Sequence, residues 1–477
     1  MKLPSLGAVA LAFTLAGCSA GHTAVVEATD TPSVVLATTA AATSLDFTTT
    51  GGAAIPAALM GNVYETLVTI ADDGSIQPGL AESWDIDGTE YTFHLREATF
   101  SNGDAFSAET AAWAINHTHE WTNALGKQLA AAHARAVDEH TLKISLDAPS
   151  ESFLWKLGTT VGAMLHPSGE TIGTGPYTVR AFSPGEYVDL AVNRDYWGES
   201  AHEDVQIRYF PDIVSSVNAL QSGSVDIVWA VQNPELLANL PEDYEVQVGA
   251  TNGEVLVSMN NQTAPFDDVT VRRAVAYGVD RELANRILFD GMATDTGGAP
   301  VAPADPWFTG KNYYPYDPEK AKELMASAGA EGTPLTITVP TLPYAQTLGE
   351  LLYSQLTDIG FDVTLESAEF PALWLGQVMG AKDYQMSIVA HVEPRDITTL
   401  FGSPDYYLGY DNAHTRELFA EADAKDPELM HDAVDQIMDD AGALTVANMP
   451  NIVLSHGVTG VDANQVTDGI RLKEITQ

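Results

Sequence analysis

The sequence predicts an α/β protein of more than one domain, and three features carry that prediction. At 477 residues the chain is too long for a single hydrophobic core, so two or three domains are expected. The apolar run Leu335–Val339, the helical spacing of Ala345–Ile359 and the run Phe361–Leu365 read as a β-α-β unit, which calls for a parallel sheet. The stretch Gly173–Gly198 reads instead as an antiparallel hairpin. Gly173-Thr174-Gly175 before φ-locked Pro176 turns into the period-two run Tyr177, Val179, Ala181; the second strand, Tyr187–Val192, follows the Pro184-Gly185 turn and leads into Tyr196-Trp197.

Composition bounds the function. Hydrophobic content of 45% with 8% aromatics is ordinary for a globular protein. The balance of 65 acidic against 22 basic residues, a formal net charge of -43, is not ordinary. Such a surface repels phosphate backbones and anionic headgroups, so nucleic-acid binding is set aside; the acidity reads as solubility outside the cytoplasm. The one cysteine, Cys18, closes Leu15-Ala16-Gly17-Cys18 after the positive start Met1-Lys2 and the apolar core Leu6–Leu15. This resembles a bacterial lipoprotein signal in which Cys18 is lipidated, against the alternatives of a plain secretory peptide or a short buried helix. No later segment reaches the roughly 18 apolar residues of a membrane span, so a tethered protein is expected.

Along the chain, Ser19–Thr31 is a small, polar tether and Ser33–Thr38 a buried strand. Ile55–Ile70 has helical spacing. Asp72-Asp73-Gly74 and Asp85-Ile86-Asp87-Gly88 read as hairpin turns rather than calcium loops, since no bidentate Glu follows at loop position twelve. Ser107 is an N-cap for a helix from Ala108 that carries Trp113, His117, His119 and Trp121; histidines two apart face different sides, so one metal does not take both. Thr141–Leu146 and Val205–Phe210 are strands, Glu151–Leu157 and Ser215–Gln221 helices. Val271, Val275 and Val279 mark a helical face beside Arg272 and Arg273, which read as structural rather than as anion ligands. After the Pro-rich loop Gly297–Pro306, an Asp317 cap with Pro318 at N1 starts a helix that ends at Gly329. Helix and strand patterns continue through Ala372–Met379, Gln385–Ala390, Thr415–Ala424 and Pro427–Ala443, and Asn451–Ser455 suits a returning strand.

Several of these phrases together resemble the extracytoplasmic solute-binding proteins, family 5, of peptide and nickel ABC importers: Gly173–Tyr177, Asn193–Gly198, Asn62–Val68, Pro78–Trp84, Tyr91–Arg96, Phe100–Asp104, Gly223–Ile227, and Asn260 and Pro265 through Val271–Arg281. The resemblance spans nearly the whole chain after the tether. It implies a two-lobed periplasmic-binding-protein-like type II fold of the large, three-subdomain (cluster C) variety. In those terms residues 1–18 are the signal and 19–32 the tether; 33–61, 170–258 and 453–477 form the core of lobe I; 62–169 is an extra subdomain of lobe I; and 259–452 is lobe II. It also implies a monomer that captures oligopeptides or dipeptides, or alternatively a nickel or metallophore chelate, and hands them to permease subunits driven by cytoplasmic ATPases. The chain itself needs no cofactor and binds no ATP.

The resemblance likewise implies a first pocket loop at Thr43–Phe47, placing Ser44 and Asp46 at the ligand, with Phe47 where the family has proline. Trp121 stands where nickel-chelate binders present a tryptophan, although their arginines have no counterpart at Thr118 or Ala163. Catalytic spacing is missing from the sequence after the tether: residues 33–477 contain no G-x-S-x-G elbow, no H-E-x-x-H and no Walker loop. An enzyme is not expected. The stretch expected to meet ligand is Ala390–Asp396, before Tyr406-Tyr407, where family peptide binders have a Trp and then an Asp that accepts the peptide's amino terminus. Glu393 is the nearest candidate for that carboxylate and Asp396 the second; Arg395 suits a ligand carboxylate, His391 stacks on ligand or coordinates a chelated metal, and Tyr407 lines the site. The opposing reading is that these residues pair with one another in a surface turn.

Overall fold

The computed structural model describes residues 32–477, apart from position 232. Cys18, the expected signal and the tether through Thr31 lie outside the described residues. Two large sheets organise the rest. The first has seven strands in the order Glu245–Gly249, Asn451–Ser455, Ile227–Val228, Val34–Thr38, Val205–Tyr209, Tyr187–Val192 and Tyr177–Ser183. Val34–Thr38 lies parallel to both of its neighbours, and its Val34, Leu36 and Ala37 are wholly buried, as a strand covered on both faces requires. The second sheet has five strands in the order Asp362–Ala368, Pro334–Pro340, Met386–His391, Glu254–Met259 and Leu444–Asn448. One of its two parallel pairs, Pro334–Pro340 with Asp362–Ala368, is joined by the helix Pro343–Asp358, the β-α-β unit read from the sequence.

A four-stranded antiparallel sheet, Ala81–Asp87, Glu90–Leu95, Thr141–Leu146 and Ala132–Ala136, and the small hairpin Val68–Ile70/Ile76–Pro78 complete the sheets of the described residues. The four-stranded sheet shares one apolar core with the seven-stranded sheet, through Phe93, Leu142, Tyr177 and Leu190. The five-stranded sheet and its helices form a separate core around Val257, Ile337, Leu352 and Ile388. Two cores of this size make two lobes. The chain passes between them after Gly249 and before Glu254, ahead of the boundary expected at 258, because Glu254–Met259 pairs inside the second sheet.

Local chemistry explains most element ends. Ser107 and Thr110 exchange bonds as a capping box at the helix Ala108–His117. The Asp317 carboxylate accepts from the Lys320 amide at 3.0 Å, and Gly329 closes that helix at φ 65°. Arg272 is buried and donates to the carbonyls of Phe266, Asp440 and Ala441, so it ties its helix to a distant loop. Arg273 donates to the Asp439 carbonyl.

Two expectations change. The helical spacing of Ile55–Ile70 is realised as a helix only over Ala54–Leu59. Gly61 turns left-handed at φ 71°, the Asn62 amide bonds to the Ala58 and Ile470 carbonyls at 3.1 and 2.8 Å, and the remaining apolar residues pack a turn and the strand Val68–Ile70. Gly173 and Gly175, read as the turn into the strand from Tyr177, are needed for space. A Cβ on Gly173 would lie 1.8 Å from the Val63 carbonyl oxygen, and one on Gly175 2.3 Å from that of Asn62. The stretch they open wraps a half-buried carboxylate, Glu65, which accepts from Thr174 Oγ1, Tyr196 Oη and Trp197 Nε1, each at 2.8 Å.

Candidate functional site

The lobes meet at a short list of contacts, and the segment expected to touch ligand lies among them. The strand Met386–His391 ends at the lobe boundary, and the chain then turns sharply, with Arg395 at φ 55°. That left-handed backbone is costly for a side chain bearing a Cβ. It sends the guanidinium across to the first lobe, where Nη2 donates to the carbonyl of Gly74 at 3.1 Å. There the cation stacks over Trp155 of the first lobe at 4.6 Å and Trp307 of the second at 5.3 Å. Its own counter-ion is Asp305, 3.8 Å from Nε. Burial pulls the Arg395 guanidinium down to about 10, with Asp305 opposing that shift.

The turn Asp72-Asp73-Gly74 joins the small hairpin, as its spacing predicts, and it is also an interlobe contact. Gly74 has φ 75°, and a Cβ there would sit 1.9 Å from the carbonyl oxygen of Ala304 in the second lobe's Pro-rich loop. A further clasp joins the lobes nearby. Asp423 at the end of the helix Ala413–Ala424 accepts from Ser150 Oγ and the Ser152 amide, both at 3.0 Å, while its carbonyl accepts from the Glu151 amide at 2.7 Å.

Behind Arg395 sits a cluster of titratable groups. His391 is buried, with Nε2 2.8 Å from Tyr407 Oη and Nδ1 3.4 Å from the Asp396 carboxylate. Tyr407 is 1% exposed and its hydroxyl also meets Ser258 Oγ at 2.8 Å, so it positions His391 from behind rather than offering a surface. Burial raises the Tyr407 phenol further above its ordinary value. Asp305 is buried and pushed up to about 6, chiefly by desolvation, with the Ala302 amide and Arg395 holding it back. Glu254, which opens the strand paired with His391, is raised well above the usual carboxylate range by burial and by Asp396 and Asp305. Glu393 is exposed, yet one ligand atom from each of His391, Glu393 and Asp396 falls within 4.8 Å of the others.

The structure therefore brings together His391, Arg395, Asp396 and Tyr407, with Glu393 at the rim. Ser44, Asp46 and Trp121 form a second group in the first lobe. Ser44 Oγ accepts from the Asp46 amide at 3.0 Å. Burial alone would raise the Asp46 carboxyl, but hydrogen bonds from Thr48 and Thr49 outweigh it and hold the group below its ordinary value. Phe47, in the proline's place, is buried edge-on between Tyr64 and Trp121, and Trp121 is itself 8% exposed. His117 stacks on Trp113 at 4.4 Å, while His119 faces Leu129 and His133, so the two histidines do diverge. Among the described residues no hydrogen bond, ion pair or ring contact joins this first group to the Arg395 cluster.

Sequence reasoning missed Glu254, Asp305 and Gly74. For Glu254 a signal existed: it is the one charged residue in the run Glu254–Met259, whose every position is buried. A carboxylate in such a strand calls for a partner or a purpose.

An α/β molecule with two cores, pinned across their boundary over a buried charged cluster, has the form of a solute-binding protein that closes on its cargo. Residues 75–409 match the family described as bacterial extracellular solute-binding proteins, family 5 Middle, and the chain belongs to it. It is similar to the nickel-binding periplasmic protein of Escherichia coli strain K12, 27% identical over 374 residues, 69% of each chain. It is also similar to heme-binding protein A of Haemophilus influenzae, 29% identical over 311 residues, 56% of each chain. The chain thus spans between 56% and 69% of the length of these two relatives. Among solved structures, the periplasmic binding protein DppA of Helicobacter pylori in complex with the peptide STSA superposes with a TM-score of 0.71 at 24% identity, covering 93% of this chain and 97% of that one. The two-lobed α/β fold follows. No helix of the described residues is long and apolar enough to cross a membrane.

Proposed function

We propose that this chain is the cargo-capturing lipoprotein of an ABC importer, taking up oligopeptides or dipeptides outside the cytoplasm and delivering them to permease subunits driven by cytoplasmic ATPases. The observation that carries this reading is the acidic cluster of buried Glu254 and Asp305 and half-buried Asp396 near Arg395 at the lobe boundary, which offers both signs of charge to a zwitterionic chain. The solved relative holding a peptide supports it. Asp396 is the central candidate for the cargo's ammonium, with Glu393 at the rim and His391 held between Asp396 and Tyr407. Ser44, Asp46 and Trp121 form the first-lobe candidates. Closure is stabilised by contacts made to both lobes at once. The lone Cys18 anchors the protein to the membrane through lipid, and the mature chain works as a monomer without a cofactor.

A second reading, capture of a metal chelate, draws on the convergence of His391, Glu393 and Asp396 and on the nickel-binding relative. Native mass spectrometry on the purified protein, never refolded, separates the two. Peptides of narrow length, lost on combining Glu393→Gln with Asp396→Asn, are the expected result. A small metal-bearing chelate with no peptide would replace the first reading by the second.

A further inference from the structure

The described chain crosses between the lobes twice, and the two crossings run side by side. Residues 250–253 join the strands Glu245–Gly249 and Glu254–Met259, and residues 449–450 join Leu444–Asn448 and Asn451–Ser455. The crossings are bonded to each other. Thr251 Oγ1 donates to the Met449 carbonyl and the Met449 amide to the Gly253 carbonyl, both at 2.7 Å, and Asn448 Nδ2 donates to the carbonyls of Thr251 and Gly253 at 3.2 and 3.0 Å. A rotation of one lobe against the other is taken up by the backbone of these few residues.

Residues 463–466, packed on the first lobe's core through Ala463, hold both crossings from one side. Asn464 Oδ1 accepts from the Ala250 amide at 2.9 Å, the Gln465 amide donates to the Ala250 carbonyl at 2.8 Å, and Asn252 Nδ2 donates to the Val466 carbonyl at 3.1 Å. On the second crossing, buried Asn451 donates through Nδ2 to the Ala463 carbonyl at 2.8 Å. The other end of the Asn464 side chain reaches the interlobe turn. Its Nδ2 donates to Asp72 Oδ2 at 2.8 Å, while Asp72 Oδ1 lies 2.6 Å from Arg471 Nη1, which also meets Asp462 Oδ2 at 2.7 Å. Asp72 is exposed, so water screens its pair with Arg471, and Asn464 is its link to the crossing backbone. Two residues beyond Asp72, the Gly74 carbonyl accepts from Arg395 of the second lobe at 3.1 Å. Asn464 thus accepts from the first crossing and donates to the turn, a pair of roles that an amide fills and a carboxylate does not. We propose that Asn464 is a positioning residue that couples the crossings to the contact between Gly74 and Arg395, so that bending at the first and release at the second are one event. This rests on the reading of the molecule as one that closes on cargo, and not on which cargo it takes.

The test is a double-mutant cycle on the purified chain, with the ratio of closed to open forms read by solution scattering, first without cargo and then with a mixture of di- to pentapeptides or with nickel-histidine. Asn464→Asp keeps an acceptor for the Ala250 amide but sets a second carboxylate against Asp72. It should lower the closed-to-open ratio by about fivefold or more. Adding Asp72→Asn reverses the donor and acceptor of the pair and should bring the ratio back to within about twofold of the wild type. In a Gly74→Ala background, under conditions where both forms are populated, Asn464→Asp should change the ratio little further, because the contact it acts through is already lost. A thermal melt verifies folding of each variant, and Asn464→Ala replaces Asn464→Asp in the cycle if the latter does not fold. An unchanged ratio in the Asn464 variant, or the same fold-loss with and without Gly74→Ala, makes Asn464 a brace of the first lobe alone; either result overturns the inference and leaves the closing reading standing. A wild type whose radius of gyration falls with neither peptides nor nickel-histidine overturns both.

Discussion

Glu65 in the first lobe and Glu254 in the second, half-buried and buried, are both carboxyls raised by desolvation, and they are equipped in opposite ways. Glu65 is surrounded by donors from Thr174, Tyr196 and Trp197, with Arg96 stacked 4.1 Å over the Trp197 ring. Glu254 has like charges for company and an oxygen that nothing on the chain satisfies. An anion met by several donors is part of the scaffold, because hydrogen bonds lost to water have been replaced from within. An unsaturated one is left to a proton or to a cation from outside. The phrases Gly173–Tyr177 and Asn193–Gly198 thus build structure, while the cluster around Arg395 is assembled from a strand end and loops of both lobes.

The largest effect expected from breaking this contrast is in the first lobe. Glu65→Leu leaves the buried Thr174 donor and the half-buried Tyr196 and Trp197 donors without an acceptor and should cost about 3–5 kcal/mol in denaturant unfolding. A loss below about 1 kcal/mol would mean that Glu65 is not the group the stretch is built around.

Next is Gly74→Ala, which places a Cβ against the Ala304 carbonyl and strains a positive φ only where the lobes touch. Closure should suffer while each lobe stays folded, weakening cargo binding by about tenfold or more with little change in circular dichroism. Unchanged affinity would show that the closed contact at Gly74 is dispensable.

A milder effect comes from pH. Asp305 titrates in the folded protein at about 6, above its unfolded value of 3.8, so the native state binds more protons across that window. Stability of the cargo-free protein should therefore be greatest below that window and fall as pH rises through it, and Asp305→Asn should flatten the slope in thermal melts from acid to neutral. Glu254 acts in the same direction. A slope of opposite sign would place the carboxyls in a better-compensated setting than their neighbours allow.

The smallest effect belongs to Asp423→Ala, which removes one clasp at Ser150 and Ser152 and should shift the balance between open and closed forms by about 1 kcal/mol, read as a larger radius of gyration in solution scattering without cargo.

Features set by neighbours in sequence were legible. The Asp317 cap with Pro318, the Ser107 cap, the β-α-β unit and the hairpin turns rest on rules that act over a few residues. The helical spacing of Ile55–Ile70 misled because a left-handed Gly61 interrupts it and tertiary packing uses the same apolar residues otherwise. Within the site, the turn at Arg395 could be singled out from its charges, but its reach to Gly74 spans 321 positions and has no local trace. Tyr407 was visible as an aromatic near the site, and only its burial assigns it to holding His391. Glu254 left the clearest unused sign, a carboxylate in a strand with no other charge.

Thermal unfolding of Glu65→Gln and Glu254→Gln in parallel, without cargo and at neutral pH, tests the contrast most directly. The account predicts a marked fall in Tm for Glu65→Gln, whose amide cannot accept all three donors, and an unchanged or higher Tm for Glu254→Gln, which loses an uncompensated buried charge. A comparable fall in both would show that Glu254 is a structural anion like Glu65.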